Sequence, residues 1–284
     1  MRFAFSDDQL AFRDAVRDLL ERECPPEVVR AAWTNETGRT DHVWKHLADM
    51  GVLGLVAPES SGGLGLTMLD LVLVLEETGR AALPEPIVEH TAVALPLLPP
   101  DVQAAAAAGS ITVAAGLIGD PFVPYAESAD LLVLQHDVAL YAVAGNDVQL
   151  TPDASIDGSR RLSAVQWDPS ADTLVASEDA LADALERGAL GVAAQLVGLA
   201  ERMIEMTVEY ARHREQFGAP IGSFQAVKHH LANARVKLEF ARPLVYRAAH
   251  SIAHDDPDRA IHVSMAKAQS SDAAALAHRC ADRV

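Results

Sequence analysis

The chain has 284 residues, half of them apolar, 22% charged and only 5% aromatic, with a formal net charge of −17. That length and apolar content exclude a disordered chain, and the acidic balance argues against nucleic acid, whose phosphates need Lys and Arg on one face. Two distant cysteines, Cys24 and Cys280, exclude a disulfide framework and a CxxC zinc site. No apolar run approaches the ~18 residues of a membrane span, and MRFAFSDDQ lacks a signal-peptide core. A soluble, cytoplasmic protein is expected.

Punctuated helices are predicted first. Ser6 and Gln9 form an S-x-x-Q capping box ahead of an apolar face of Leu10, Phe12, Val16, Leu19 and Leu20, and Pro25–Pro26 end the run. Thr40 is placed to cap a second helix carrying Val43, Trp44, Leu47 and Met50, with Gly51 at the stop. PESSGGLGL reads as a loop. Thr67 opens a third helix that Gly79 closes, and a short helix is expected over Ala92 to Leu98.

After the AAAAAGS stretch at 104–110 the pattern changes. ITVAAGL, ADLLVLQ, VALYAV and LSAVQW are short apolar or β-branched runs between turn residues, and GND at 145–147 reads as a hairpin loop. Residues 111–176 are expected to form a compact β segment. From Ser177 three long helices follow: about Glu178 to His213, about Ser223 to His254, and one starting at Asp256–Pro257 that continues to the end of the sequence. Helices of that length need neighbours, so a bundle is expected.

Three short motifs are weak. Ser264-Met-Ala-Lys267 matches S-x-x-K but lies mid-helix without companion motifs. His250 and His254 share a helix face without a third metal ligand at a diagnostic spacing, so helix-end histidines are the better reading. GGLG at 62–65 lacks the strand, Lys and Ser/Thr of a phosphate loop.

The stretch RHREQFGAPIGSFQAVKHHLA, 212–232, stands apart. Residues 201–250 carry eight Lys or Arg against five Glu, about +3, which leaves about −20 on the remainder. Phe217–Gly218 end one helix, Pro220 and Gly222 turn the chain, and Ser223 is placed to cap the next helix, whose free N–H groups suit an anion. Arg214 beside them suits a pyrophosphate, Phe217 offers a flat apolar surface, and Gln225 both donates and accepts. The alternative is an ordinary helical connection laced with ion pairs.

This stretch resembles the R-x-x-F-G-x-P-I-x-x-F-Q-x-x-x-H segment of the acyl-CoA dehydrogenase family. The resemblance extends to FSDDQLAFRDAVRDLL, to the W-x-x-L-A-x-M-G-V-L-G-L-V-A-P-E-x-x-G-G-L-G-L run, to VLEETGRAALPEP and to AKAQSSDAAALA. It implies a mainly α fold with a small β middle domain: an N-terminal helical domain over 1–108, a shortened β domain over 109–176, and a C-terminal helical bundle over 177–284 whose last part is missing relative to the family. It further implies FAD-dependent α,β-dehydrogenation of an acyl-CoA thioester, with Arg214, Phe217 and Gln225 contacting FAD across a subunit interface.

The departures are informative. GLIGDPFVPYAESADLL has nothing like the T-E-P-x-x-G-S-D stretch that holds the flavin in the family. The Q-x-x-G-G motif and the usual catalytic glutamate are not reached before Val284. At the alternative position of that glutamate, early in the first bundle helix, stands Gly188; Glu186 and Arg187, two and one residues before it, are expected to face elsewhere, by about 200° and about 100° of helical rotation. No catalytic residue and no metal ligand is therefore assigned. The pattern is similar to the non-catalytic subunit of heteromeric, steroid-catabolic bacterial acyl-CoA dehydrogenases. Such a subunit implies an α2β2 assembly with a homologous catalytic subunit sharing FAD, a bulky acyl-CoA substrate, and an electron-transfer flavoprotein or similar acceptor. The alternatives are a complete homo-oligomeric dehydrogenase of which this sequence is a cut-short piece, and a flavin-free scaffold derived from the family.

Overall fold

The computed structural model describes residues 4–117 and 121–284. Of the GLIGDPFVPYAESADLL stretch, residues 118–120 lie outside the described residues. Two compact units emerge, one of Met1–Leu71 and Leu83–Gly188, the other of Val72–Ala82 and Ala189–Val284.

The first unit begins with α1 (Asp7–Glu23), whose predicted capping box is complete: Gln9 N–H donates to the Ser6 side chain and the Gln9 side chain accepts from Ser6 N–H. Val16, Leu19 and Leu20 bury its apolar face. After α2 (Pro26–Ala32) comes α3 (Asp41–Asp49), followed by Gly51 at φ +79°, the left-handed stop that glycine adopts at little cost. Thr40 corrects its prediction. It stands at the N-cap of α3, but no side chain caps the helix. Both its N–H and its hydroxyl donate instead to Glu85, at 2.6 and 2.9 Å, because that buried carboxylate needs donors more than the helix end does. Arg39 completes the cluster, with Nε 2.7 Å from Glu85, a hydrogen bond to Thr112 and its guanidinium 4.7 Å over Trp44.

Thr67 leads into α4 (Met68–Arg80) as expected, bonded to Asp70 through its N–H and its hydroxyl. The helix predicted over Ala92–Leu98 is displaced. A π-helical turn over Val88–Ala94 and a 3-10 turn over Leu95–Leu97 take its place, since Pro96 has no N–H to extend an α ladder. The alanine run read as a boundary forms α5 (Pro100–Ala107).

The β segment is two small sheets. One has the order β1-β3-β4-β7 (Val113–Gly116, Leu131–His136, Ala139–Ala144, Leu174–Ala176), and the other β2-β6-β5 (Phe122–Pro124, Leu162–Gln166, Gln149–Asp153). Their shared core is Ala114, Val123, Leu132, Leu134 and Val143 with their neighbours. GND is not a hairpin loop. Gly145–Asp147 is a 3-10 turn by which the chain leaves β4 in one sheet for β5 in the other, and β5 pairs with β6. A Cβ on Gly145 would lie 2.5 Å from the Ala129 carbonyl, so the crossing needs glycine.

The second unit is helical. The long helix α6 (Glu178–His213) has the bounds read from the sequence. A short hairpin of β8 (Glu215–Gln216) and β9 (Ala219–Pro220) follows, then α7 (Gln225–Ala253) and α8 (Arg259–Ala281). Two boundary signals are corrected. Pro257 precedes α8 instead of opening it, with Asp258 at the N-cap. Gly79 does not end α4; it lets α4 touch α6, because a Cβ there would sit 2.1 Å from the Gln195 carbonyl, and one on Gly198 1.8 Å from the Glu76 carbonyl. Charges tie α7 to both helices: Arg80, Arg235 and Arg242 all reach Glu201, at 3.9, 3.3 and 3.0 Å, and Arg242 and Tyr246 also bond Glu76.

Candidate functional site

The corner between α6 and α7 is built from the backbone outward. Arg214 N–H donates to the Tyr210 carbonyl, continuing the ladder of α6, and the Arg214 carbonyl accepts from Ile221 N–H at 2.8 Å, which closes the corner. Between them Glu215 pairs with Pro220 and Gln216 with Ala219. The two residues at the tip, Phe217 and Gly218, have φ of +54° and +78°. That pair of signs defines the hairpin turn that matches strand twist, in which asparagine, aspartate and glycine are the usual residues. A phenylalanine there costs backbone energy.

The strained residue is also displayed. Phe217 is 95% exposed and meets Phe224 edge to face, with ring centroids 6.3 Å apart. Gly222 permits the return, since a Cβ would come within 2.9 Å of the Ala211 carbonyl.

The capping role predicted for Ser223 fails. Ser223 lies in the 3-10 turn Ile221–Ser223, so its hydroxyl points backward and donates to the Pro220 carbonyl at 2.7 Å. Phe224 takes the N-cap position and no side chain caps α7. The partial positive charge of the helix start is thus offered outward beside exposed Arg214. Gln225 is the first residue of α7 and is exposed, as are Arg212, His213, Lys228, His229 and His230. The corner therefore brings the three residues singled out from the sequence to one exposed turn. Phe224 was missed there, although a second aromatic just ahead of a predicted helix start was a legible signal.

The weaker motifs resolve plainly. Lys267 donates to Ser271, one turn on, rather than to Ser264. The His250 and His254 rings stack 4.0 Å apart, and the His254 Nδ1 bonds the His250 carbonyl. Desolvation, and then His254 itself, push the pKa of His250 down. Among the described residues no group of three or more His, Cys, Asp or Glu is placed to hold a metal. Gly62 and Gly65 adopt φ of +71° and +63°, the conformations of a loop turn. At Gly188 a Cβ would lie 3.1 Å from Val93 Cγ2, so the position that the resemblance offers for a base carries no side chain and is closed by a valine.

Two family models match the chain: the acyl-CoA dehydrogenase N-terminal domain over residues 6–98 and its C-terminal domain over 179–283. The acyl-CoA dehydrogenase IpdE2 of Mycobacterium tuberculosis is 34% identical over 257 residues, spanning 86% of this chain and 76% of that protein. The ChsE4-ChsE5 complex from Mycobacterium tuberculosis contains a chain that superposes with a TM-score of 0.88 at 27% identity, covering 99% of this chain and 87% of the other. A steroid acyl-CoA dehydrogenase variant shares the fold, with a TM-score of 0.85 at 21% identity over 98% of this chain and 86% of its own. Helical ends, a small two-sheet middle, the 214–225 corner and these matches agree: the chain belongs to the acyl-CoA dehydrogenase family.

Proposed function

We propose that this chain is the non-catalytic partner in a hetero-oligomeric acyl-CoA dehydrogenase, completing the FAD site of a homologous catalytic subunit. The observation that carries this reading is the corner itself. An aromatic ring held at positive φ and 95% exposed, beside an arginine and an uncapped helix start, is a surface made for something outside its own chain.

The rest of the molecule supports the same division of labour. The corner fits the pyrophosphate and a ring of FAD: Arg214 would donate charge-assisted hydrogen bonds, Phe217 would cover the ring, and Gln225 would bond a polar edge. The described residues of the β segment speak against a flavin cradle of its own. Between Pro121 and Leu132, the side chains of Val123, Tyr125, Ala126 and Ala129 are buried in the core, and Asp130 is committed to Thr112 N–H at 2.7 Å. The chemistry FAD would supply when bound is to accept the hydride of an α,β-dehydrogenation, and we assign the base for the α-proton to the partner, in keeping with the lack of a side chain at Gly188. An α2β2 assembly, a bulky acyl-CoA such as a steroid side-chain thioester, and an electron-transfer flavoprotein or similar acceptor complete the proposal. The two-protein ChsE4-ChsE5 complex among the similar solved structures favours the hetero-oligomer.

The test is to purify the chain alone and together with its candidate catalytic partner, then record flavin absorbance and acyl-CoA-dependent dye reduction. Flavin and turnover are expected only in the complex. Bound FAD with full turnover from the lone chain would overturn the half-site role in favour of a complete enzyme. A complex whose flavin content ignores Arg214→Ala would remove Arg214 from the site.

A further inference from the structure

A second surface, independent of the flavin corner, lies at one end of the β segment. His136, Tyr141 and Trp167 form a triad there, with ring centroids 5.3 to 6.4 Å apart. Tyr141 pairs with Leu174 across β4 and β7, so the two side chains share a face, and Leu174 is half exposed. Tyr141 and Trp167 are partly buried against the core between the two sheets, so the triad lies at the edge of that core.

Charge frames this edge. Asp137 follows His136, Asp168 follows Trp167, and Asp172 lies in the 3-10 turn ahead of Leu174; all three are exposed. From 121 to 186 the sequence holds twelve Asp or Glu and two cations, Arg160 and Arg161. Both cations are engaged elsewhere: Arg160 pairs with Glu89, and Arg161 bonds the Asn35 carbonyl. Tyr141 and Trp167 are half buried, and His136 is exposed with its Nδ1 3.6 Å from Asp137. Among the described residues no Lys or Arg is bonded to this cluster or to Asp168 and Asp172, so it lacks one component that satisfies both rings and carboxylates. A guanidinium does so, since its plane stacks on the rings while its N–H fork pairs with carboxylates; an ammonium fills only the second role.

We infer that the His136–Tyr141–Trp167 cluster is a docking site for a protein partner that inserts arginine there beside an apolar side chain. Trp167 and Tyr141 are the anchors, and Asp168 and Asp172 orient the guanidinium. Aromatic residues meeting arginine in a desolvated centre with a charged rim are the usual energetic core of protein interfaces.

The test uses the full chain and two short probes, acetyl-GRLRG-amide and its lysine twin acetyl-GKLKG-amide, followed by amide chemical-shift perturbation. The arginine peptide is expected to shift signals of residues 136–141 and 167–174, and the lysine twin to bind several-fold more weakly. Trp167→Ala should weaken the arginine peptide roughly tenfold, which corresponds to the upper half of the cation–π range. Trp167→Phe keeps a ring and should restore most of the affinity, which separates a lost contact from a lost fold. The surface pair Asp168→Asn with Asp172→Asn should both weaken binding and flatten its salt dependence, while Glu21→Gln with Glu27→Gln on the distant helices should change neither. Equal binding of the two peptides, or equal loss in the Glu21 and Glu27 variant, would reduce the site to general acidity and overturn the proposal.

Discussion

Phe217 occupies a conformation that asparagine would adopt more cheaply. An aromatic L-residue in the left-handed region costs on the order of 1 kcal/mol, and its ring is exposed, so packing within the chain recovers little of that. Phe217→Asn is therefore expected to raise the stability of the isolated chain by about 0.5–1 kcal/mol in urea unfolding. In the co-purified complex the same change should weaken FAD retention roughly three- to tenfold, the worth of one aromatic contact. A stabilised chain with unchanged flavin affinity would place the ring away from the cofactor. Half of this residue's story was legible beforehand. Gly218, Pro220 and Gly222 announce a turn through their backbone preferences alone, and Arg214 announces an anion. The positive φ of Phe217 was not legible, because it is imposed by the register of a two-residue hairpin whose strands are only two residues long. Nor could a local capping rule foresee that Ser223 turns its hydroxyl back to Pro220.

Helices show the same contrast at the next scale. Their existence and long spans were readable from periodicity, α6 most clearly. What misled was local chemistry with a competing tertiary partner: Thr40 binds Glu85 rather than capping α3, and Gly79 marks a crossing rather than an end. Glycine in a helix normally costs about 1 kcal/mol relative to alanine, so two of them facing each other across α4 and α6 require a reason, and backbone contact is that reason. The consequence is a contrast within one helix. In Gly198→Ala the new Cβ would sit 1.8 Å from the Glu76 carbonyl and 2.8 Å from Arg80 N, backbone atoms that cannot step aside, so α4 and α6 must part. A loss of at least about 2–3 kcal/mol is expected. In Gly188→Ala the nearest atom is the Val93 Cγ2 at 3.1 Å, a methyl that can shift by a few tenths of an ångström. There the gain in helix propensity should offset the crowding, leaving a change within about 1 kcal/mol. Urea titrations of the two variants would contradict this account if they lost comparable stability.

Across the whole molecule the charge is divided unequally. The first unit holds 28 Asp or Glu against 10 Lys or Arg, and the second 12 against 13. Self-repulsion in the acidic unit suggests that mild acid should stabilise it, but a buried group opposes this. His90 is fully buried, its Nε2 against the Ala106 carbonyl and its Nδ1 accepting from Val113 N–H, so the neutral ring is satisfied and a second proton has nowhere to go. Burial, above all, pushes its pKa down to about 4 from an ordinary 6.5. Because the folded value is the lower one, the unfolded chain binds the extra proton first. The contribution of His90 is therefore fully present above pH 6.5 and is lost as pH falls toward 4, by about 1.4 kcal/mol per unit and about 3 kcal/mol in all. Ordinary carboxylates protonate mainly near and below pH 4.5, so relief of repulsion arrives after most of this loss. Stability of the first unit is expected to fall between pH 6.5 and 4.5. Fluorescence can follow it, because the Trp44 ring stands edge-on to His90 at 4.8 Å. His90→Gln, whose amide donates and accepts without titrating, should be less stable at pH 7 yet show a much flatter slope across that window. Parallel pH profiles for the two proteins would assign the acid sensitivity to the surface carboxylates and not to His90.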